Sequence, residues 1–215
     1  MGSGLMSSGF SDFLYAVVAL FVIIDPIGTG IVFAALTVND GRERCKAMAR
    51  RAAIVSFIVL LVFGIAGEAL LRVLGIGIPA LQIAGGALLF LSAKDMVTAK
   101  HELRSTDEER AAATATGEDI SVFPLAIPLI AGPGAMTTMI LLHAKAGSDP
   151  VAIIAVTLAL AALIAATFVA MRTSRVLAHL TGATGASVMG RVLGILVAAL
   201  AAQFMITGLR TALHL

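Results

Sequence analysis

A polar interruption divides the first long apolar stretch of this chain. The stretch runs from Phe13 to Leu36, which is long enough to cross a bilayer as a helix. Near its middle lies the segment 25–30, Asp-Pro-Ile-Gly-Thr-Gly, in which the proline removes a backbone donor, the glycines loosen the helix and an ionisable group enters a low dielectric. We therefore predict a transmembrane helix that is broken near the bilayer midplane.

A second interruption of the same kind follows half a chain length later. The apolar segment 127–138 contains Pro128, Gly132, Pro133 and Gly134. Two prolines and two glycines this close together favour a real break over a kink in a packed helix. Two broken helices at matching positions of two halves are typical of an inverted-repeat transporter whose binding site lies at the breaks.

The composition assigns the chain to the membrane proteins. Hydrophobic residues make up 59% of its 215 residues, charged residues make up 13%, and the mean hydropathy is +1.02. A soluble domain of this length is far less apolar. We predict an all-α membrane protein with six transmembrane helices, at about 13–37, 52–74, 77–98, 122–142, 151–171 and 190–209.

The polar segments predict an organisation in two halves. Residues 1–99 form a first three-helix repeat, residues 121–215 form a second one, and the mixed-charge segment 100–120 is the linker between them. Glycines that interrupt the apolar pattern predict short turns at 147–150 and at 181–185.

Lysine and arginine placement predicts the orientation. If the N terminus is outside, only three of the fifteen basic residues lie on the outer side, namely Arg72, Lys145 and Arg210. The twelve others then lie on the cytoplasmic side, as the positive-inside rule requires: Arg42, Arg44, Lys46, Arg50, Arg51, Lys94, Lys100, Arg104, Arg110, Arg172, Arg175 and Arg191. Both termini are predicted outside, and because each half has three helices, the halves form an inverted 3+3 repeat.

The two breaks offer complementary groups to a small zwitterion. The half-helix that begins at each break points free N–H groups and a positive dipole end into the protein, which suits a carboxylate. The carbonyls that end the preceding half-helix, together with Asp25, suit an ammonium or a coupling cation. The predicted substrate-binding residues are Asp25, Pro26, Gly28, Thr29, Gly132, Pro133, Gly134, Thr137 and Thr138.

Two carboxylates, Asp25 and Glu68, are candidates for coupling to a proton or sodium gradient. Each has a structural alternative. Asp25 followed by Pro26 is also the pattern of a helix N-cap. Glu68 lies one turn before Arg72, where the two side chains would form an ion pair at the membrane interface.

The sequence lacks the patterns of catalysis, metal binding and nucleic-acid recognition. Its single cysteine, Cys45, lies in a charged loop, and its four histidines have no metal-ligand spacing. An intramembrane enzyme would need a nucleophile and a base facing each other at depth, and neither is found there. We therefore expect no cofactor, no metal, no enzymatic activity and no nucleic-acid partner. The expected partners are the bilayer and a small zwitterionic amino acid.

Four segments resemble the MarC family of bacterial and archaeal membrane proteins: Asp25–Gly28, Pro124–Leu129, Ala131–Thr138 and Arg191–Phe204. The chain departs from the family pattern at Ile31, where many members carry a further proline, and at Asp25, where many carry asparagine. The acidic residue strengthens the hypothesis of cation coupling.

The resemblance implies a six-span protein of the bacterial or archaeal cytoplasmic (inner) membrane. SnatA-like members of the family transport small neutral amino acids such as glycine and alanine. We therefore expect a secondary transporter of small neutral amino acids that works by alternating access. The alternatives are an exporter or channel for another small solute, or a membrane protein without transport activity. Two local breaks suit a closed binding site better than a continuous pore.

Cysteine labelling tests the predicted orientation. In intact cells, a membrane-impermeant thiol reagent is expected to label Ser3→Cys and to leave Ser105→Cys unlabelled, because the N terminus is predicted outside and the linker inside. Both variants are made in a Cys45→Ser background. The opposite labelling pattern would invalidate the argument from basic residues.

Overall fold

The computed structural model describes residues 2–38, 40–98 and 121–213, and this part of the chain is helical. Seven α-helices and one π-helix follow one another along it: α1 (Gly2–Ile24), α2 (Pro26–Leu36), α3 (Arg42–Val73), α4 (Ile78–Thr98), π1 (Ser121–Ile130), α5 (Pro133–Ala146), α6 (Pro150–Arg172) and α7 (Ser174–Ala212). The predicted all-α class is confirmed. The predicted linker 100–120 lies outside the described residues.

The first apolar run is broken at the predicted position. α1 ends at Ile24 and α2 begins at Pro26, so that Asp25 alone separates the two helices. Asp25 adopts the left-handed conformation, with φ of 45° and ψ of 74°, which turns the chain out of its helical path. Pro26 takes the first position of α2, where a missing N–H sacrifices no hydrogen bond and the fixed φ favours a new helix.

The fourth apolar run is broken at the second predicted position. π1 ends at Ile130 and α5 begins at Pro133. Gly132 before it is extended, with φ of −78° and ψ of 170°. At the end of π1 the N–H of Ala131 donates to the carbonyl of Ala126 at 2.8 Å, which is the wide hydrogen-bond spacing of a π-helix. The run therefore consists of two short helices, of 10 and 14 residues.

Within the described residues, five helical stretches are long and apolar enough to cross a bilayer: Gly9–Leu36, Arg42–Val73, Ile78–Thr98, Pro150–Arg172 and Gly190–Ala212. They correspond to five of the six predicted runs. The predicted fourth run is not among them because the break divides it into π1 and α5, and each of these is shorter than a single span requires.

The predicted turn at 181–185 is wrong. α7 continues through all of these residues from Ser174 to Ala212. Gly182 and Gly185 each cost roughly 1 kcal/mol relative to alanine in a helix, but this segment has no proline. Without the ring clash and the lost donor of a proline, the helix continues. The turn at 147–150, which ends in a proline, does separate α5 from α6.

Two apolar clusters, both contacted by Ile23 of α1, hold the helices together. The larger cluster joins α1, α2, α3, π1, α5 and α6, and its fully buried side chains include Leu20, Phe33, Leu60, Met139 and Leu160. The smaller cluster joins α4 to α7 through Leu89, Ala93, Val197 and Ala201. α4 and α7 therefore form a pair with its own core beside a body of six helices.

The outside of the bundle is apolar. Large exposed side chains along its helices include Ile58, Ile65, Val169 and Ile195. Exposed apolar surface of this extent is what a membrane-embedded protein presents to lipid.

Charged side chains mark the two ends of the bundle. At one end, Lys145 of α5 lies over the ring of Tyr15 in α1, with 4.6 Å between the ammonium nitrogen and the ring centroid, and Asp149 caps α6. At the other end, Arg172 in the last turn of α6 acts electrostatically on Glu43 of α3. The 23 residues of α6 reach about 35 Å between these ends, which is enough to cross a hydrocarbon core of about 30 Å.

We predict that Gly86→Ala lowers the free energy of unfolding by about 1–2 kcal/mol. A Cβ at this position of α4 would lie 2.7 Å from the carbonyl oxygen of Ala201 in α7, and a backbone atom cannot move aside. Helix propensity alone predicts the opposite sign. Chemical unfolding in detergent measures the change, and Ala87→Ser, which adds one atom on the exposed face of α4, is the control. A more stable Gly86→Ala protein would contradict the close α4–α7 contact.

Candidate functional site

The first break is capped by its own side chain. The Oδ1 atom of Asp25 accepts a hydrogen bond from the N–H of Gly28 at 2.9 Å, and the carbonyl of Asp25 accepts one from the N–H of Thr29, also at 2.9 Å. Gly28 is required here because a Cβ would collide with the Asp25 carboxylate. The sequence Asp-Pro-Ile-Gly therefore encodes the cap as well as the break. Asp25 is therefore the N-cap of α2, which is the structural alternative considered for it from the sequence.

Thr29 ties the two halves of the first broken helix together. Its buried hydroxyl donates to the carbonyl of Ile24, the last residue of α1, at 3.0 Å. A carbonyl that the break would otherwise leave without a partner is thereby satisfied. Asp25 and Thr29 thus meet the backbone requirements of this break from within the chain segment itself.

The second break has no comparable cap. In the described part of the chain, no side chain caps the amino end of α5, whose N-cap position is Gly132. Pro133 carries no N–H, so Gly134 and Ala135 supply the first backbone donors of the helix. The hydroxyl of Thr138 donates to the carbonyl of Gly134 at 2.8 Å and therefore acts within the helix. The amino end of α5 is the better placed of the two to receive an anionic group.

Helix α4 seals the first turn of α5. A Cβ on Gly134 would collide with the side chain of Leu89, and a Cβ on Gly85 would collide with that of Thr137. Leu89 and Thr137 are both buried. Two of the predicted binding residues, Gly134 and Thr137, thus lie directly beneath α4.

Ser56 is a polar residue at the second break that the sequence patterns did not single out. It is fully buried in α3, and its hydroxyl donates to the carbonyl of Ala126 in π1 at 3.4 Å. A serine in a long apolar helix usually bonds to its own helix backbone, so its sequence position carries no signal of this contact. Ser56 thus adds a second hydrogen bond to a carbonyl that already accepts one from the N–H of Ala131.

The two breaks lie at similar distances from the same end of the bundle. α1 contacts α5, and α2 contacts π1. With the Lys145–Tyr15 contact as a common reference, a rise of 1.5 Å per residue puts Asp25 about 15 Å away along α1 and Pro133 about 18 Å away along α5. The residues predicted from the two halves of the sequence therefore lie at one level of the fold.

Glu68 lies apart from both breaks. Its Oε1 atom accepts a hydrogen bond from Arg72 at 2.9 Å, and the arginine side chain is 79% exposed. The residue is about 18 Å along α3 from Ser56, which contacts the second break. The ion pair that the sequence predicted as the alternative for Glu68 is formed.

His143, one of the four histidines without metal-ligand spacing, has an unusual environment in the structure. Its Nδ1 atom lies 3.1 Å from the carbonyl of Met139, and its ring packs against Gly64 of α3. Its Nε2 atom is buried and finds no hydrogen-bond partner in the part of the chain that the structure describes. No spacing in the sequence could reveal this contact because it depends on how α3 and α5 pack.

The structure is a bundle of apolar helices, and proline and glycine interrupt two of its membrane crossings at one level. These features define a multi-pass integral membrane protein with discontinuous helices. The MarC family integral membrane protein profile matches residues 10–213. The chain therefore belongs to the MarC family. No solved structure matches it.

Relatives in archaea and bacteria cover almost the whole chain. It is 36% identical to the UPF0056 membrane protein of Archaeoglobus fulgidus, over 94% of each chain. It is 34% identical to the UPF0056 membrane protein YvbG of Bacillus subtilis, over 94% of this chain and 95% of the relative. It is 30% identical to the UPF0056 inner membrane protein YhgN of Escherichia coli, over 93% of this chain and 97% of the relative.

The cap at the first break predicts how two substitutions of Asp25 differ. Asp25→Asn is expected to unfold within about 0.5 kcal/mol of the wild type, because asparagine caps helices well and tolerates positive φ. Asp25→Ala is expected to lose about 1–2 kcal/mol, because it lacks the cap and strains the left-handed conformation. Chemical unfolding in detergent measures both. Equal losses in the two variants would show that the charge, and not the cap, stabilises the break.

Proposed function

We propose that this protein is a secondary transporter of small neutral amino acids that works by alternating access. The observation that carries the proposal is the amino end of α5, which lies at an interrupted membrane helix and has no side-chain cap within the described residues. Backbone donors without a side-chain cap and a positive dipole end suit a carboxylate. The amino acid carboxylate would take the place that Asp25 fills at α2.

Asp25 supplies the opposite charge. Its carboxylate is partly exposed, and an ionised carboxylate has about four lone-pair positions, so it can cap Gly28 and still accept a substrate ammonium. The contacts of α1 with α5 and of α2 with π1 bring the two broken helices together. A zwitterion between the breaks would then have its carboxylate at α5 and its ammonium toward Asp25.

The lining favours a small substrate. Gly132, Gly134 and Ala135 form the amino end of α5, and Leu89 covers Gly134. A large side chain would have to displace Leu89, whereas glycine or alanine requires little additional space. Glycine and alanine are therefore the proposed substrates.

The proposed membrane arrangement is an inverted repeat of two three-helix units. In it, π1 and α5 together make the crossing that neither makes alone, with their 10 and 14 residues in series. The estimated distances of about 15 and 18 Å from the Lys145–Tyr15 contact to the breaks are half of a hydrocarbon core of about 30 Å. These lengths support breaks at the bilayer midplane. The proposed orientation, with both chain termini outside and the segment 100–120 in the cytoplasm, rests on the placement of the basic residues.

The two apolar clusters support a mechanism for alternating access. The α4–α7 pair has its own core. It meets the six-helix body through α4, at the contacts of Leu89 with Gly134 and of Gly85 with Thr137, and through the packing of α7 against α2. We propose that the pair moves as a unit against the body and thereby exposes the second break to one side of the membrane at a time.

Coupling to a proton or sodium gradient is proposed to occur at Asp25. Its carboxylate lies at the break itself and is only partly exposed. Glu68, the other candidate, is held in an exposed ion pair with Arg72. A coupling ion at Asp25 would compete with the substrate ammonium for its carboxylate, which links the two binding events directly.

Glycine binding and flux test the proposal. A ligand at one hundred times its Kd adds about 2.7 kcal/mol to the stability of the folded protein, so glycine should raise Tm while glycinamide and acetate at matched pH and ionic strength should not. In proteoliposomes, labelled glycine should enter with saturation, and an imposed proton or sodium gradient should increase its rate. Asp25→Asn should lose the response to the gradient.

Two results would contradict parts of this proposal. Equal Tm shifts with glycine, glycinamide and acetate, together with no saturable glycine flux, would exclude the zwitterion site. Identical gradient responses in the wild type and Asp25→Asn would leave Asp25 as a cap and exclude its coupling role.

A further inference from the structure

A polar cavity lies at the end of the bundle marked by Lys145, away from both breaks. It has a volume of about 260 Å³ and lies between α1, α5 and α6. Its ionisable lining consists of Asp12, Lys145 and Asp149, and Tyr15 forms an aromatic wall. Pockets for drug-sized molecules usually measure about 300–1,000 Å³, so this cavity suits a smaller ligand.

The charges in this cavity are opposite in sign and remain apart. Lys145 lies over the ring of Tyr15 at 4.6 Å, and Asp149 accepts a hydrogen bond from the N–H of Val151 at 2.9 Å through one carboxylate oxygen. Among the described residues, no ion pair joins Lys145 to Asp12 or to Asp149. Elsewhere on the surface, charges within reach do pair, as Arg72 and Glu68 show. A cation held by an aromatic ring opposite two carboxylates leaves both signs available to a ligand.

Two of the helices that line the cavity, α1 and α5, also lead to the two breaks. α1 leads from Asp12 to Asp25, and α5 leads from Lys145 back to Pro133. The distance along either helix is about 15–20 Å. A ligand bound in the cavity would therefore lie at the outer end of the two helices that carry the proposed substrate site.

We propose that this cavity is a peripheral binding site for the transported amino acid, an inference that rests on the transport function proposed above. Lys145 binds the carboxylate of the zwitterion, and Asp12 and Asp149 bind its ammonium. The alkyl lining, which includes Leu142 and Ala152, accommodates a small side chain. The site concentrates substrate at the outer face before it reaches the breaks.

The test is the concentration dependence of labelled glycine uptake into proteoliposomes that contain the full chain. Lys145→Gln is expected to raise the KM for glycine about three- to fivefold, the size of effect typical of a solvent-accessible charge contact, with the maximal rate unchanged. The double variant Asp12→Asn with Asp149→Asn is expected to do the same, and its asparagine at 149 still caps α6. Lys145→Arg keeps the charge over Tyr15 and should restore the wild-type KM.

Arg210→Gln is the matched control, because it removes an exposed positive charge from the last turn of α7 without touching the cavity. Its KM is expected to equal that of the wild type. A purely structural role for Lys145 would lower the maximal rate and Tm and would leave KM unchanged.

The outcomes separate this inference from the transport proposal. If the wild type transports glycine and either Lys145→Gln or the double aspartate variant keeps the KM of Arg210→Gln, the peripheral site is excluded while transport stands. If the wild type shows neither saturable flux nor stabilisation by glycine, the transport function is excluded and the peripheral site with it. A KM increase in both variants, restored by Lys145→Arg, supports the site.

Discussion

The interrupted helices depend on one requirement, which is that backbone groups freed in an apolar environment must find partners. An unsatisfied N–H or C=O in hydrocarbon costs several kcal/mol, so a membrane helix can break only where its ends are satisfied. At the first break, the Asp25 cap on Gly28 and the Thr29 hydroxyl on Ile24 meet this requirement within one turn. Because they do, α2 can begin with only Asp25 between it and the end of α1, and it still buries Phe33 in the main apolar cluster.

The two breaks meet the same requirement in different ways, and the difference creates a candidate site. The first is satisfied by its own side chains and is structurally complete. The second receives only partial support, from Ser56 to the Ala126 carbonyl, while the amino end of α5 begins at Gly132 without a side-chain cap in the described chain. Similar proline and glycine patterns in the sequence therefore have two outcomes: a helix start that is capped by a side chain at α2, and one without a side-chain cap at α5. The amino end of α5 is therefore the one that a carboxylate can cap.

Local chemistry made both breaks predictable, whereas the surroundings of the breaks depend on tertiary packing. Asp25-Pro26 and Gly132-Pro133 define helix ends through lost donors and fixed φ angles, which act within a few residues. The turn predicted at 181–185 was wrong because glycine alone weakens a helix without ending it. The roles of Ser56 and Leu89, and the cavity at Lys145, required the packing of α3, α4 and α1 against later helices. No spacing along the chain encodes those contacts.

Helix α4 packs against α7 and against α5, and the two interfaces are built differently. Toward α7 it is held through a shared core that contains Leu89, Ala93 and Val197. Toward α5 it is held where Leu89 lies against Gly134 and Gly85 lies against Thr137, contacts between a side chain and a glycine surface. In a bilayer the hydrophobic effect adds little to such contacts, because lipid tails are as apolar as leucine. Separating α4 from α5 therefore costs mainly van der Waals contact, part of which lipid can replace. The same movement shifts α7 against α2 but leaves the α4–α7 core intact, so the weaker of the two contacts of α4 is the one that covers the amino end of α5.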